Sequence, residues 1–227
     1  MGGAKGGTTD RIATVLDRLE SRYGRPRFAS RFDPMDELIS CILSQHTADV
    51  NSFPAFDRLR ATFPDWQCVV DAGPEKVAEV VRKAGLANQK SRSIINTLTE
   101  IKARNGAYTL DNLRAMPMLE ARDWLTSLPG VGPKTASIVL CFAFGMSAIP
   151  VDTHIFRVSR RLRFVPEKAD ENKAHDILLG VVPEKDAFRY HMLLIQHGRQ
   201  TCKAQRPLCG ECDLLDLCPF GKKVAKA

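Results

Sequence analysis

Hydrophobic residues recur along the chain at helical rather than alternating spacing. Ile12, Val15, Leu16 and Leu19 lie three or four positions apart, so they fall on one face of an α-helix. Residues 38–43 are apolar nearly all round, which predicts a central, buried helix. No segment shows sustained period-two alternation, the pattern of a half-buried strand. The fold is therefore predicted to be all-α.

Glycine and proline divide the rest of the chain into further helical segments. Gly73 with Pro74, Gly85 and Gly106 are the clearest breaks. The remaining helices are predicted at about 49–62, 74–84, 88–104, 117–127, 133–144, 153–163, 170–179 and 186–198. Residues 1–8 are rich in glycine and are expected to form a disordered tail.

The charge balance narrows the class of partner. The 227 residues carry a formal net charge of +7, which favours an anionic partner, with nucleic acid as the leading candidate. An anionic membrane is the alternative. The sequence shows no run of 18 apolar residues and no signal peptide, and Gly6 stands where myristoylation requires Ser or Thr. We therefore expect a cytoplasmic protein with no membrane partner, nucleoid-associated if bacterial.

Residues 128–136, with the sequence Leu-Pro-Gly-Val-Gly-Pro-Lys-Thr-Ala, predict a hairpin that opens a helix. Gly130 and Gly132 can take positive φ at no steric cost, and the N–H groups of such a turn attract phosphate. Pro133 suits the first helical position, which places Lys134 in the first turn. The helix dipole opposes a positive charge there. Lys134 is therefore either a cation that contacts phosphate or an amine that attacks an electrophilic sugar carbon.

Asp152 lies 18 residues beyond Lys134 and opens the next predicted helix. A helix over residues 133–144 is about 18 Å long, and the link over residues 145–151 can span about 23 Å. Asp152 can therefore return to the hairpin end and lie beside Lys134. There its carboxylate could deprotonate the amine or stabilise positive charge on a sugar ring. The alternative role is a helix cap, and the two roles are compatible.

Four of the seven cysteines form a motif near the C-terminus. Cys202, Cys209, Cys212 and Cys218 are separated by six, two and five residues, which predicts a metal centre. Only the middle pair is closely spaced, so the motif favours a compact iron–sulfur cluster over zinc, which remains the alternative. The other three are expected to be core residues: Cys41, Cys68 and Cys141.

Cations accompany this motif. Lys203 and Arg206 lie between the first two cysteines, on a loop that the metal centre would hold rigid. We interpret them as a clamp for DNA phosphate. Lys222, Lys223 and Lys226 fit a solvated basic tail better.

The hairpin, the Val-Asp-Thr-His motif at 151–154 and the four cysteines, in this order, resemble the endonuclease III family of DNA glycosylases in the helix-hairpin-helix superfamily. The resemblance covers roughly residues 10–220 and implies a [4Fe–4S] cluster. It also implies two lobes, with double-stranded DNA bound in the cleft between them. The implied lobes are a six-helix domain at 26–146 and a cluster domain formed by 9–25 together with 147–227.

By the same resemblance, Lys134 matches the lysine that forms a Schiff base and Asp152 matches the catalytic aspartate. The implied mechanism is base flipping, attack of the Lys134 amine on C1′, loss of the damaged base and β-elimination that nicks the strand. Related adenine glycosylases usually lack the lysine. Lys134 therefore indicates the bifunctional class, which both removes the base and cleaves the strand.

The resemblance also implies which side chains fill the space of the flipped base. One comes from the loop that contains Gln45 and His46, and the other is Leu86. His46 stands where the family typically has glutamine. Pro133 replaces a common basic residue and Ala87 an aromatic one, so opposite-base reading and substrate range are expected to differ. Without the resemblance, these positions fit helix ends and a hydrophobic contact.

Together these features predict a monomeric DNA repair enzyme. Its predicted substrates are double-stranded DNA with oxidised pyrimidines of the thymine glycol type and the abasic sites left by their removal. The alternatives within the same class are a mismatch glycosylase and an enzyme that acts mainly as an abasic-site lyase. An alternative from another class is a non-catalytic DNA-binding or redox-sensing iron–sulfur module.

Overall fold

The computed structural model describes residues 3–30 and 32–225, with backbone alone for residues 3–6. Over this part of the chain the structure is all-helical and contains no strand, which confirms the predicted fold class. The α-helices are α1 Gly3–Tyr23, α2 Pro34–Ser44, α3 Asp49–Thr62, α4 Trp66–Val80, α5 Ala87–Asn105, α6 Met118–Thr126, α7 Pro133–Phe144, α8 Thr153–Arg161, α9 Glu171–Val181, α10 Ala187–Gln200 and α11 Pro219–Val224. Short 3-10 turns connect several of them.

The chain divides into two compact units. One unit consists of Ser30–Met146 and contains α2 to α7. The other combines the segment that ends at Ala29 with the segment that begins at Ser147. The family resemblance implies domain boundaries at 25/26 and 146/147; the two units meet in the chain at 29/30 and 146/147.

In the Ser30–Met146 unit, α2 is the central element. Asp33 caps it by accepting from the N–H groups of Met35 and Asp36, and Pro34 occupies its first turn. The side chains from Leu38 to Leu43 are all buried, as the apolar run predicts. α2 packs against α3, α5 and α7, so this helix supports both the hairpin that precedes α7 and the start of α5.

The helix α4 contains a break. Gly73 has φ +76° and ψ 165°, which are not helical values, and Pro74 begins the second half. The predicted helix at 74–84 therefore corresponds to this second half and the 3-10 turn Arg82–Ala84. The first half, which begins after the cap at Asp65, was not predicted.

In the other unit, α1 packs against α9 and α10, and α8 packs against α9, α10 and α11. Ile12, Val15, Leu16 and Leu19 are fully buried in its core, as the helical spacing predicts.

The structure differs from the expectation of a disordered tail over residues 1–8. Gly3 to Thr8 belong to α1, while residues 1 and 2 lie outside the described residues. Extending an existing helix is far less costly than nucleating one, so a glycine-rich segment can continue a packed helix. None of the helices in the described part of the chain has the length and apolarity needed to cross a membrane.

Candidate functional site

The predicted hairpin lies between α6 and α7 and is fixed against α5. Gly130 has φ +76°, a left-handed value that favours glycine. A Cβ atom at Gly130 would lie 3.0 Å from the Cβ of Ser93 on α5. The Thr97 hydroxyl, also on α5, donates to the carbonyl oxygen of Pro129 over 2.6 Å. The backbone at Gly130 therefore passes so close to α5 that a side chain there would displace Ser93 by a few tenths of an ångström.

Gly132 plays a different part. Its φ of −96° and ψ of 177° describe extended backbone, so only Gly130 of the two glycines uses positive φ. No atom lies within 4 Å of a Cβ built on Gly132. As the N-cap of α7 it supplies no side-chain hydrogen bond. The first amide groups of α7 are therefore left without a side-chain cap beneath open space, an arrangement suited to an anion.

Lys134 lies exposed in the first turn of α7, directly after Pro133. No hydrogen bond or ion pair to another described residue engages its amine. Thr135 and Ala136, which follow it, are buried, and Gly145 caps the far end of α7 with φ +66°. The helix is thus anchored at both ends while the Lys134 amine stays available to a ligand.

The loop after α2 contacts the hairpin through Gln45. The Gln45 Nε2 group donates to the Gly130 carbonyl over 3.0 Å and to the Thr135 hydroxyl over 3.4 Å. His46 is exposed, has φ +54° and makes no hydrogen bond within the described chain. Gln45 therefore braces the hairpin, whereas the His46 side chain is free for a ligand.

Leu86 presents an apolar side chain to solvent from the turn before α5. It is 56% exposed and has φ +47°, a left-handed conformation that is costly for a leucine. Gly85, just before it, has φ +64°. A strained, exposed apolar residue on a tight turn is a feature typical of functional sites.

A buried lysine that the sequence did not point to joins these two loops. Lys90 is only 3% exposed, and burial lowers the pKa of its amine. That amine donates to the Leu43 carbonyl and the Thr47 hydroxyl, each over 2.6 Å, and to the Ala84 carbonyl over 2.8 Å. Lys90 therefore ties the end of α2 and the His46 loop to the turn that carries Leu86.

Asp152 belongs to the other unit and caps α8. Its Oδ1 atom accepts the N–H of Ile155 over 2.7 Å, which confirms the predicted cap. Its Oδ2 atom makes no hydrogen bond to the described residues, and the side chain is partly exposed. The carboxylate is therefore held rigidly by one oxygen and keeps the other available.

The four predicted metal ligands line a single cavity in this unit. Cys202, Cys209, Cys212 and Cys218 surround it together with apolar side chains that include Val158, Leu162 and Leu214. All four are free thiols. Across the described residues, no three His, Cys, Asp or Glu side chains converge as ligands of a single metal ion.

Two N–H donors that line the cavity lie within hydrogen-bond distance of its sulfur atoms. Arg161 Nη1 lies 3.2 Å from the Sγ atom of Cys202, and the N–H of Gly221 lies 3.3 Å from the Sγ atom of Cys218. Burial raises the pKa of the Cys212 thiol to about 11. Such a cavity, with four soft donors, apolar walls and N–H groups aimed at sulfur, fits an iron–sulfur cluster.

The loop between Cys202 and Cys209 carries the predicted phosphate clamp. Lys203 and Arg206 are both exposed on it, and their side chains make no hydrogen bond or ion pair with the described residues. Arg161 holds the loop from beneath by donating to the carbonyls of Lys203 over 2.8 Å and Ala204 over 3.1 Å. The two cations are therefore presented on a supported backbone.

Comparison with known proteins gives the class to which this architecture belongs. Residues 39–184 match the family of HhH-GPD superfamily base excision DNA repair proteins. Endonuclease III of Escherichia coli strain K12 is 37% identical over 212 residues, which cover 92% of this chain and 95% of the relative. The chain therefore belongs to the endonuclease III family.

Solved structures agree with this assignment. The protein in a non-covalent endonuclease III–DNA complex is 30% identical to this chain, and the two superpose with a TM-score of 0.81. The match covers 96% of this chain and 99% of the chain in that complex. A trapped endonuclease III–DNA covalent intermediate, an estranged-adenine complex, matches 96% and 98% with a TM-score of 0.81 at 31% identity. The chain is accordingly a DNA glycosylase/AP lyase of base excision repair, and DNA is its partner.

Proposed function

We propose that this enzyme removes oxidised pyrimidines of the thymine glycol type from double-stranded DNA and cleaves the resulting abasic site through Lys134. The observation that carries the proposal is the exposed, unpartnered Lys134 amine in the first turn of α7, beside the uncapped amides after Gly132. A relative of the same fold has been trapped as a covalent intermediate with DNA, which supports covalent chemistry.

In the proposed reaction the damaged nucleotide is flipped out of the helix. The neutral Lys134 amine donates its lone pair to C1′, and the bond from C1′ to the base breaks. The base leaves with the electron pair and takes up a proton. The attached nitrogen then loses a proton, and its lone pair breaks the bond from C1′ to the ring oxygen O4′, which takes up a proton. The product is a protonated Schiff base between Lys134 and C1′. Loss of a proton from C2′ then expels the 3′ phosphate, and water releases the lysine.

Asp152 is proposed to act in the steps that transfer a proton or develop positive charge. Its free Oδ2 atom can take a proton from the Lys134 ammonium or stabilise the positive charge that develops on the sugar. The hydrogen bond from Ile155 N–H fixes the carboxylate before substrate arrives, so little reorganisation is needed.

The remaining predicted residues are assigned to DNA binding. We propose that His46 and Leu86 fill the space left by the flipped nucleotide, because both are exposed on left-handed turns. Gln45 positions the His46 loop against Gly130. The open amides after Gly132, together with Lys203 and Arg206, are proposed to bind backbone phosphates.

We propose that Cys202, Cys209, Cys212 and Cys218 hold a [4Fe–4S] cluster, whose iron–thiolate bonds would fix the Lys203–Arg206 loop. Purified protein should then absorb broadly in the blue and lose this band in Cys202→Ser, while Cys68→Ser, a change outside the motif, should keep it. A colourless protein with stoichiometric zinc would establish the alternative.

The lesion class is tested on a panel of duplexes that contain thymine glycol, a G·T mismatch, an abasic site or no damage. We expect base release and strand cleavage with thymine glycol and cleavage of the abasic duplex. Base release from the mismatch alone would identify a mismatch glycosylase, and cleavage of the abasic duplex alone would identify an enzyme that acts mainly as a lyase.

We further propose that the enzyme works as a monomer in the cytoplasm, where its DNA substrate lies in a bacterial cell.

A further inference from the structure

A second cavity, which the proposed reaction does not use, lies beside the cysteine cavity. It measures about 310 Å³ and is bounded by α8, the segment after it and α11. Five cations and a single carboxylate, that of Glu167, are among the described side chains that line it. The cations are Arg157, Arg160, Arg161, Arg163 and Lys223.

The positive charge of this cavity is largely uncompensated within the described residues. Arg157 and Arg161 donate to backbone carbonyls, and Arg161 also contacts the sulfur of Cys202, so no carboxylate neutralises them. Arg160 donates only through Nη2, to the Glu167 carbonyl. Arg163 alone forms an ion pair, with Glu167 over 2.8 Å.

Aromatic rings hold two of the guanidinium groups. Arg160 lies over Phe156 at 5.2 Å from the ring centroid, and Arg161 lies over Phe220 at 4.2 Å. A guanidinium with one face on a ring keeps its N–H edge for a ligand. In Arg160, Nε and Nη1 have no partner among the described residues. The site is therefore ordered before a ligand binds.

Helix stability alone does not account for these cations. The dipole of α8 favours Arg160 and Arg161 in its last turn. Arg163, however, has φ +63° just beyond that helix, a position where glycine is favoured. Lys223 comes from α11, and the sequence suggested only a solvated tail for it. A strained arginine that faces a cation-lined cavity points to a ligand.

We propose that this cavity binds phosphate, and that its occupant is a backbone phosphate of the DNA substrate. Arg161 lines the cavity and also holds the Lys203–Arg206 loop through the Lys203 carbonyl, so the cavity adjoins that loop. A strand that follows the proposed loop clamp would continue into the cavity. The proposal rests on DNA binding by that loop and adds a phosphate contact to it.

The test compares Lys223→Gln with Lys222→Gln, two equal charge changes at adjacent positions of α11, only the first of which lines the cavity. A third variant, Arg163→Gly, removes a cation while relieving its backbone conformation, so its fold should be preserved. Binding is measured against salt concentration on a duplex with a tetrahydrofuran abasic analogue. This analogue cannot form a Schiff base, so a failure of the Lys134 chemistry leaves the readout intact.

We expect Lys223→Gln and Arg163→Gly each to weaken DNA binding severalfold and to reduce the slope of log K against log salt by about one, whereas Lys222→Gln leaves the slope unchanged. In a second experiment, calorimetry measures the binding of tripolyphosphate to the wild-type protein and to the same variants. If DNA slopes stay unchanged but tripolyphosphate binding is lost in these two variants alone, the phosphate site stands and its occupant is a free polyphosphate. Equal effects of Lys222→Gln and Lys223→Gln on both ligands, or no effect on either ligand, would overturn the proposal.

Discussion

At the scale of single residues, the two hairpin glycines have different roles: Gly130 is required by the fold, and Gly132 leaves space for a ligand. Both belong to one short motif, yet Gly130 needs its glycine for φ and for its approach to Ser93, while Gly132 needs it for neither. The sequence predicted that both glycines belong to the hairpin but could not predict their different roles, because the difference arises from the packing of the hairpin on α5.

Gly130→Ala should therefore lower the free energy of unfolding by about 1–2 kcal/mol, since alanine is disfavoured at positive φ and its Cβ would crowd Ser93. Gly132→Ala should lower that free energy by less, about 0.5 kcal/mol, because alanine is a poorer N-cap than glycine but meets no neighbouring atom, yet it should weaken binding to the abasic analogue by obstructing the open amides. Urea unfolding and DNA titration measure the two effects. Equal loss of stability in both variants would contradict this assignment.

Asp152 combines a cap with a proposed catalytic role, and two substitutions separate them. Asparagine caps a helix about as well as aspartate, so Asp152→Asn should keep the stability while strand cleavage falls by at least tenfold. Asp152→Ala should lose both, with a stability cost of about 1 kcal/mol for the missing cap. The measurements are single-turnover cleavage of the abasic duplex and urea unfolding. If Asp152→Asn cleaved the strand as fast as wild type, Asp152 would have no catalytic role and would serve only as the helix cap.

At the scale of elements, helical periodicity predicted most of the architecture. The helix at 49–62 was predicted with the bounds that α3 has, and Asp152 was placed at the start of α8. The first half of α4 was not predicted, because the break at Gly73 separates it from the stronger pattern of the second half. α11 was also not predicted, since six residues give too little periodicity.

Lys90 shows what periodicity cannot reveal. It follows polar residues near the start of α5, and only the packing of α2 against α5 buries it between two loops. Lys90→Met would remove the donor of the Leu43 carbonyl and of the Thr47 Oγ1 atom, while the Ala84 carbonyl keeps the Thr47 hydroxyl, so the free energy of unfolding should fall by about 1–3 kcal/mol. Hydrogen exchange should quicken at residues 44–47 and 84–86 in particular.

The matched control for this prediction is Lys83→Met, an exposed lysine in the adjacent 3-10 turn, which should change neither quantity. In addition, Lys90→Met should weaken binding to the abasic analogue more than binding to undamaged duplex, because the two loops are proposed to act at the flipped nucleotide. Unchanged exchange in both loops would show that Lys90 does not hold them.

At the scale of the whole molecule, the order of motifs carried the functional prediction, and membership of the endonuclease III family agrees with it. The cysteine spacing predicted a shared site, and all four thiols line one cavity. The cation-lined cavity was not predictable, because Arg160 and Lys223 lie far apart in the sequence and meet only when α8 packs against α11.

The central claim is that the Lys134 amine forms a covalent bond with C1′. It is tested most directly by borohydride trapping on an abasic duplex and a thymine glycol duplex with wild type, Lys134→Ala and Lys173→Ala. Lys173 is an exposed lysine in the first turn of α9 and serves as the matched control. We predict a covalent adduct on both duplexes with wild type and Lys173→Ala, and none with Lys134→Ala. An adduct that persists in Lys134→Ala, or no adduct with wild type on either duplex, would contradict the account.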